Sequence, residues 1–341
     1  MATQDPVNMI DVANRAGVGM ATVSRALNGS SGVSERTRKR IMAIAEEIGY
    51  VVSPEASRLA RGVTGRVAIV VPHISRWFFA TMIEAIETVL RQADFDLLLY
   101  QVPDARSRHA FFERLPARRK VDAVIVVGLP VDDRERSQLE RMGVQIIAVG
   151  GQTAAFPFVR IDDHEAARQA TDHLLGLGHT RIAMIEAVDP ETPEWPVEFG
   201  RADGYYDALA RAGIASNSEL VVRVPWGGEE GAGAMARLLS LANRPTAVYA
   251  HSDEIALGAA RTLRRAGLST PDDVSIIGID DHPLAALCDL TTIAQPVHEQ
   301  GIAAARMLLD LLDGSPSDTE VTLPTVLVPR GSTRRRESRT G

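Results

Sequence analysis

The sequence predicts an α/β protein in two parts, a small helical head followed by a two-lobed, doubly wound body. Three observations carry that prediction. The first 50 residues hold three short amphipathic patterns, punctuated by Gly17 and Asn28-Gly29. From Val67 onward, Val- and Ile-rich runs alternate with amphipathic segments, the pattern of parallel sheets covered on both faces. About 265 residues of that alternation is too much for one doubly wound sheet, so two lobes are expected.

In the head, Ile10 to Arg15 reads as a brief helix stopped at Gly17, and Gly19 opens a second, Met20 to Leu27. Ser34 is a candidate N-cap for a third helix, in which Ile41, Ile44, Ala45 and Ile48 recur at i, i+3, i+4 and i+7 before Gly49 ends it. This head is assigned residues 1–52. Pro54 suits the first turn of a further short helix, and Gly62-Val63-Thr64-Gly65 reads as a linker, so 53–65 form a connecting segment.

The body is assigned residues 66–331. Its expected strands are Val67–Val71, Leu97–Tyr100, Ala123–Val127, Ile146–Val149, Phe158–Ile161, Ile182–Ile185, Ala247–Ala250 and Val274–Ile279. Between them Phe79, Met82, Ile83, Ile86, Val89 and Leu90 mark one helix face, and Ala166–Leu177, Tyr205–Ala212, Ala256–Ala266 and Ile302–Leu312 mark others. Residues 332–341, polar and basic, read as a disordered tail.

Composition narrows the class. The chain is 45% hydrophobic and 24% charged, ordinary for a soluble globular protein. No apolar run approaches the roughly 20 residues that cross a bilayer, and no membrane partner is expected. The stretch Met1 to Asn8 is short and polar and carries Asp5, unlike a secretory signal; Cys288 is the single cysteine, which fits a reducing cytoplasm. The net charge of −7 hides an asymmetry, because residues 1–62 hold eight basic and six acidic side chains. A slightly basic head on an acidic body points to nucleic-acid contact through the head alone.

The segment Asp11 to Asn28 has the shape of a helix-turn-helix. Ala13 is small where two helices cross, Gly17 permits the turn, and Val18, Val23 and Leu27 bury the second helix. Met20, Ala21, Thr22, Ser24 and Arg25 are left outward, near the N-terminal half of a helix that fits a major groove. An Arg there chelates a guanine edge, and the hydroxyls of Thr22 and Ser24 suit phosphates. The same spacing also suits a structural three-helix module with a solvated Arg25.

In open α/β sheets ligands sit at the carboxyl ends of strands. There the body places His73, Ser75, Arg76, Trp77, Phe78 and Phe79, then Asp162 and Asp163, Arg201, Ser252 and Asp253, and Asp280 and Asp281. An Arg, several carboxylates and aromatic rings match a polyhydroxylated ligand, with charges on hydroxyl pairs and rings on apolar faces. Individually, Asp162 and Asp253 are equally candidate helix caps, and Tyr205 and Phe79 candidate core residues.

Asp11-Val12-Ala13, Ala16-Gly17-Val18, Thr22-Val23-Ser24-Arg25 and Leu27-Asn28, followed by Val33-Ser34, Thr37-Arg38 and Ile48-Gly49-Tyr50, resemble the lactose-repressor (LacI/GalR) family of bacterial transcription regulators. The resemblance continues through Leu177-Gly178-His179, Arg201-x-x-Gly204-Tyr205, Asp253-x-x-Ala256-Leu257-Gly258, Asp273 to Asp281 and Leu290 to Ile293, ending near Thr333. It implies that Met20 to Asn28 is the recognition helix, that 53–62 is a hinge helix, and that Leu59 wedges into the central step of a bent operator. It also implies a periplasmic-binding-protein-like body closing on a small-molecule effector, most naturally a carbohydrate. The three crossovers are then expected near Asp162, Gln295 and Pro324, giving one lobe of about 66–162 and 295–323 and another of about 163–294 and 324–331.

For effector contacts the resemblance puts Arg201 and Asp280 first, with Ser75, Phe78, Phe79, Asp162 and Ser252 behind them. A homodimer reading a pseudo-palindromic operator and an effector-controlled affinity follow. Three departures from the family pattern stand out. Gly19 replaces a usual Ser, Ser75-Arg76-Trp77 replaces the commoner Ser-Asn-Pro, and Ser252 replaces a frequent Asn.

Two other classes fit less well. The chain has no phosphate loop, zinc-protease or nucleophile-elbow motif, and its eight histidines are scattered, so neither an enzyme nor a metal or other cofactor is expected. A secreted solute-binding protein would share the body but not the head.

Overall fold

The computed structural model describes residues 7–27, 31–50, 63–114, 116–118, 120–151, 156–188 and 200–336. They fall into two compact units that divide between Gly65 and Arg66. The expected contacts Asn28 and Leu59 and the hinge segment 53–62 lie outside the described residues.

The first unit is three helices, α1 (Met9–Ala16), α2 (Met20–Leu27) and α3 (Glu35–Glu47). Asn8 starts α1 with a capping box to Asp11, and Gly17 ends it at φ +63°, its N–H returning to the Ala13 and Asn14 carbonyls. Ser34 starts α3 by accepting the Thr37 N–H. The core is made by Val12, Ala13, Ala16, Val23, Ala26, Ile41 and Ala45. Two basic residues are spent on this small fold. Arg40 donates to the Ala16 carbonyl at 2.9 Å and Arg38 to the Ala26 carbonyl at 3.1 Å, satisfying carbonyls at the ends of α1 and α2.

The second unit holds two sheets wound alike. In chain order its elements are β1 (Arg66–Val71), α4 (Trp77–Gln92), β2 (Asp96–Gln101), α5 (Ala105–Arg114), β3 (Ala123–Val127), α6 (Asp133–Glu140), β4 (Gln145–Val149), β5 (Phe158–Ile161) and α7 (Asp163–Gly176). They continue with β6 (Ile182–Ala187), α8 (Arg201–Arg211), β7 (Val221–Val224), α9 (Gly228–Leu239), β8 (Ala247–Ala250) and α10 (Asp253–Arg265). The last are β9 (Ser275–Asp280), α11 (Pro283–Leu287), β10 (Thr291–Ala294), α12 (Val297–Asp313), β11 (Glu320–Leu323) and β12 (Val326–Val328).

Among the described residues one sheet runs β11-β5-β4-β3-β1-β2 and the other β12-β10-β9-β8-β6-β7. All pairings are parallel except β10 with β12. Each sheet thus starts in its interior and reverses direction beside its first strand, and at that reversal a cleft opens at the strand ends. The central strands are buried on both faces; β3 has no exposed residue. The chain passes between sheets three times: at Asp162, at Gln295-Pro296, and at Pro324-Thr325.

The tail differs from expectation. Residues 332–336 are packed on the second lobe, because their polar groups satisfy its buried backbone. Ser332, 5% exposed, donates to the Ile276 carbonyl and accepts the Thr291 N–H, while the Arg334 carbonyl faces His179 Nε2 at 3.1 Å.

Candidate functional site

Two sites emerge, one in each unit. In the first, Met20, Ala21 and Arg25 are exposed on α2 and Thr22 and Ser24 half-buried, while Val23 and Ala26 face the core. Arg25 makes no hydrogen bond or ion pair with any described residue. An unengaged guanidinium on an exposed helix face is available to a base edge or phosphate.

In the second unit a cavity of about 300 Å³ lies between the lobes, lined by the strand-end loops of both sheets. Among its buried charged groups is Arg201, the first residue of α8, 7% exposed. Arg201 Nε donates to Asp163 Oδ1 at 2.7 Å, and Nη1 donates to the His251 carbonyl. Nη2 has no hydrogen-bond partner among the described residues, so a guanidinium donor remains for a ligand. Burial raises the pKa of Asp163, against the lowering pull of the adjacent Arg201. Trp226 covers the guanidinium, its ring 5.9 Å away.

Asp280 ends β9 at a sharp turn, with φ +137° there and +56° at Asp281. Backbone held in that region costs of order 1–3 kcal/mol per residue and persists only where its surroundings fix it. Here Gln295 Nε2 donates to Asp280 Oδ1 at 2.6 Å, tying the strand end to a crossover. Burial pushes the Asp280 carboxyl up to about 8, with repulsion from Asp253 adding to the shift and Arg201 opposing it. Asp253 is fully buried and serves the frame: Thr292 Oγ1 donates to it at 2.7 Å and the His282 N–H at 2.9 Å.

The first-lobe wall is aromatic. Phe78 and Phe79, edge to face at 5.2 Å, lie against the ends of β3 and β4. A Cβ at Gly128 would sit 2.7 Å from Phe79 Cε1, and one at Gly150 would sit 2.6 Å from Phe78 Cζ. Both glycines also have positive φ, so the rings depend on those two positions.

Of the residues singled out from sequence, Arg201, Asp280, Phe78, Phe79 and Ser252 line the cavity. Ser252 also caps α10 by accepting the Ile255 N–H. Asp162 and Ser75 do not line it. Asp162 is exposed and caps α7 by accepting the Glu165 N–H, and the next residue, Asp163, turns inward. Ser75 is exposed in the loop before α4, where Arg76, Trp77 and His73 take the inward positions. Sequence reasoning missed Trp226, which follows the unrecognised strand β7, and Arg108 on α5. Arg108 is 3% exposed and bound bidentate to Glu135, both contacts 2.6 Å. Among the described residues no cluster of three His, Cys, Asp or Glu forms a metal site, and no helix is long and apolar enough to cross a membrane.

The comparisons with known proteins agree with this geometry. Residues 8–53 match the family model of bacterial regulatory proteins of the lacI family, and residues 171–333 match a periplasmic binding protein-like domain. The chain is 36% identical to the HTH-type transcriptional repressor CytR of Escherichia coli strain K12, over 96% of each chain. A solved Lac repressor dimer, bound to operator and the anti-inducer ONPF, covers 97% of this chain with all of its own length, at 25% identity and TM-score 0.81. A complex of the transcriptional regulator CelR with cellobiose covers 96% of this chain and 100% of its own, at 31% identity and TM-score 0.71. With an exposed helix in the first unit, a cleft in the second, and a transcriptional repressor matched at 36% identity over nearly the full length, the assignment follows: the chain belongs to the lacI family of bacterial regulatory proteins.

Proposed function

We propose that the protein is a cytoplasmic repressor that binds a pseudo-palindromic duplex operator as a homodimer and releases or tightens on it when an uncharged, hydroxyl-rich effector of the sugar class enters the cleft. On α2, Met20 and Ala21 supply apolar contacts of the kind thymine methyls accept, Arg25 reads a purine edge, and Thr22 and Ser24 take phosphates. Asn28 is a further operator contact, and Leu59 serves as the minor-groove wedge. The dimer and operator of the Lac repressor relative, and the cellobiose of the CelR complex, support the dimer, the operator and the sugar class.

The observation that carries the effector class is the charge balance of the cleft. Arg201 is paired with Asp163, Arg108 with Glu135, and Arg76 donates to the Trp226 carbonyl at 2.8 Å. Glu254 lines the same cavity without an ion-pair partner among the described residues, and Asp280 adds a carboxyl. In such a wall the Glu254 carboxylate disfavours an anion, while Arg201 Nη2, Asp163 and the largely protonated Asp280 present donors and acceptors for vicinal hydroxyls and Phe78 and Trp226 cover ring faces. Effector binding then selects one angle between lobes, and residues 53–65 carry that change along the chain to the reading helix.

The test is direct. Duplexes selected by the full-length protein from a randomised pool should be bound with strong salt dependence. A panel of free sugars should shift that affinity where the matching sugar phosphates do not. Binding indifferent to every sugar, or to salt, would overturn the proposal.

A further inference from the structure

Two of the residues that depart from the family pattern at the start of α4 make non-covalent contacts across the cleft, from one lobe to the other. Arg76 Nη2, in the first lobe, donates to the Trp226 carbonyl in the second at 2.8 Å. Its neighbour Trp77 places its ring 5.1 Å from that of His282, also in the second lobe and tilted by 58°. All four residues line the cavity. Both second-lobe partners are tied to the groups expected to meet the effector. The Trp226 ring covers Arg201, and His282 follows the strained turn at Asp280-Asp281, gives its N–H to Asp253 and accepts the Leu284 N–H on Nδ1 to start α11.

We infer that Arg76 and Trp77 are positioning residues forming a clasp that holds the cleft closed and sets Trp226 over Arg201. The inference rests on the cleft being the effector site but not on which effector fills it. A guanidinium-to-carbonyl bond and a ring contact across a mobile interface together bias a lobe equilibrium by about tenfold or more, enough to set effector affinity without touching the effector. The clasp also explains the sequence. The commoner Asn-Pro pair has neither the reach of an Arg nor a ring to meet His282, so this chain closes on its ligand by a contact its own residues supply.

The experiment uses the full chain with Trp195→Phe and Trp226→Phe, which leaves Trp77 as the only indole and keeps the Trp226 carbonyl. Acrylamide quenching of Trp77 and the radius of gyration from solution scattering are measured for this background, for Arg76→Ala and for Arg76→Lys. Opening of the clasp predicts that Arg76→Ala raises the quenching constant about two- to threefold and expands the particle, while Lys, which keeps one donor, restores most of both. His282→Gln, which retains a side-chain acceptor for the Leu284 N–H but loses the ring, should move both readouts in the same direction and guards against a folding defect in the first variant. If both variants fold and neither readout moves, or if Lys behaves as Ala, the clasp does not exist. Adding a sugar found by the screen above should close the Arg76→Ala protein again. A protein that binds no sugar yet opens on Arg76→Ala would refute the sugar reading and keep the clasp.

Discussion

Replacing Arg201 by Ala removes a cation whose partner cannot leave. Asp163 is 4% exposed, and its Oδ1 sits 2.7 Å from Arg201 Nε. Breaking a buried pair from one side strands the other charge, at roughly 3–5 kcal/mol. For a domain of this size about 2 °C of melting temperature corresponds to each kcal/mol, so a fall of roughly 6–10 °C is expected at neutral pH. The loss should depend on pH. Burial already raises the Asp163 pKa while Arg201 pulls it down, and without the Arg the carboxyl takes up a proton. A folded pKa above the unfolded value adds stability below the unfolded value and loses it as pH rises, so the deficit of Arg201→Ala should shrink on acidification from pH 7 to 5. Arg201→Ala with Asp163→Asn should recover most of the loss, because an uncharged amide replaces the stranded carboxylate. Calorimetry of the wild type, the two single variants (Arg201→Ala and Asp163→Asn) and the double variant at both pH values is the assay. Equal melting temperatures for the single and double variants, with no pH dependence, would refute the stranded-charge account and leave the lost bond to the His251 carbonyl as the cause.

Arg25→Ala should lose roughly 1–3 kcal/mol of preference for the selected duplex over a scrambled one in fluorescence anisotropy, with an unchanged melting curve, since the side chain is exposed and unengaged. Asp280→Asn should remove one falling contribution to the stability–pH profile between pH 5 and 8. The wild-type carboxyl, raised to about 8, favours the folded state at low pH and is lost to it as pH rises through that value, and an amide does not titrate. Gly150→Ala should lower the melting temperature of the second unit by several degrees, because its Cβ would meet the Phe78 ring at 2.6 Å and φ is +65°; an unchanged melt would show that the ring can move aside.

Much of what was legible in the sequence follows from burial, although the half-exposed edge strand β2 was expected from its leucine run and the interior strand β10, which opens on two threonines, was not. Strands β1, β3, β4, β6, β8 and β9 lie inside their sheets, so their runs are continuously apolar and need no tertiary context to be recognised. Strands β7, β11 and β12 are sheet edges, short and half-exposed; Glu320 and Thr322 in β11, or Arg223 in β7, break the apolar run and hide the strand. Helix α9 hid for a different reason. Its Gly231 reads as a breaker, yet a Cβ there would sit 2.3 Å from the Ile255 carbonyl, and the glycine is what lets α9 lie against α10. Propensity scores the isolated helix, whereas packing chose the residue.

The site shows the same limit at the scale of one residue. Sequence placed a carboxylate at the first crossover and put it on Asp162, the residue that follows β5. The crossover is where a strand period of two gives way to a helical period of 3.6, and the phase of that change decides which of two adjacent aspartates points inward. Asp162, as N-cap, must aim its oxygen at the Glu165 N–H on the helix axis, which fixes it outside; Asp163, at the first helical position, then falls on the face against Arg201. The cap therefore does more than begin α7. It sets the rotation that brings Asp163 to Arg201, so Asp162→Ala, although exposed and outside the cleft, should weaken effector binding through a displaced partner, whereas Asp162→Asn or Asp162→Ser, each able to cap, should not.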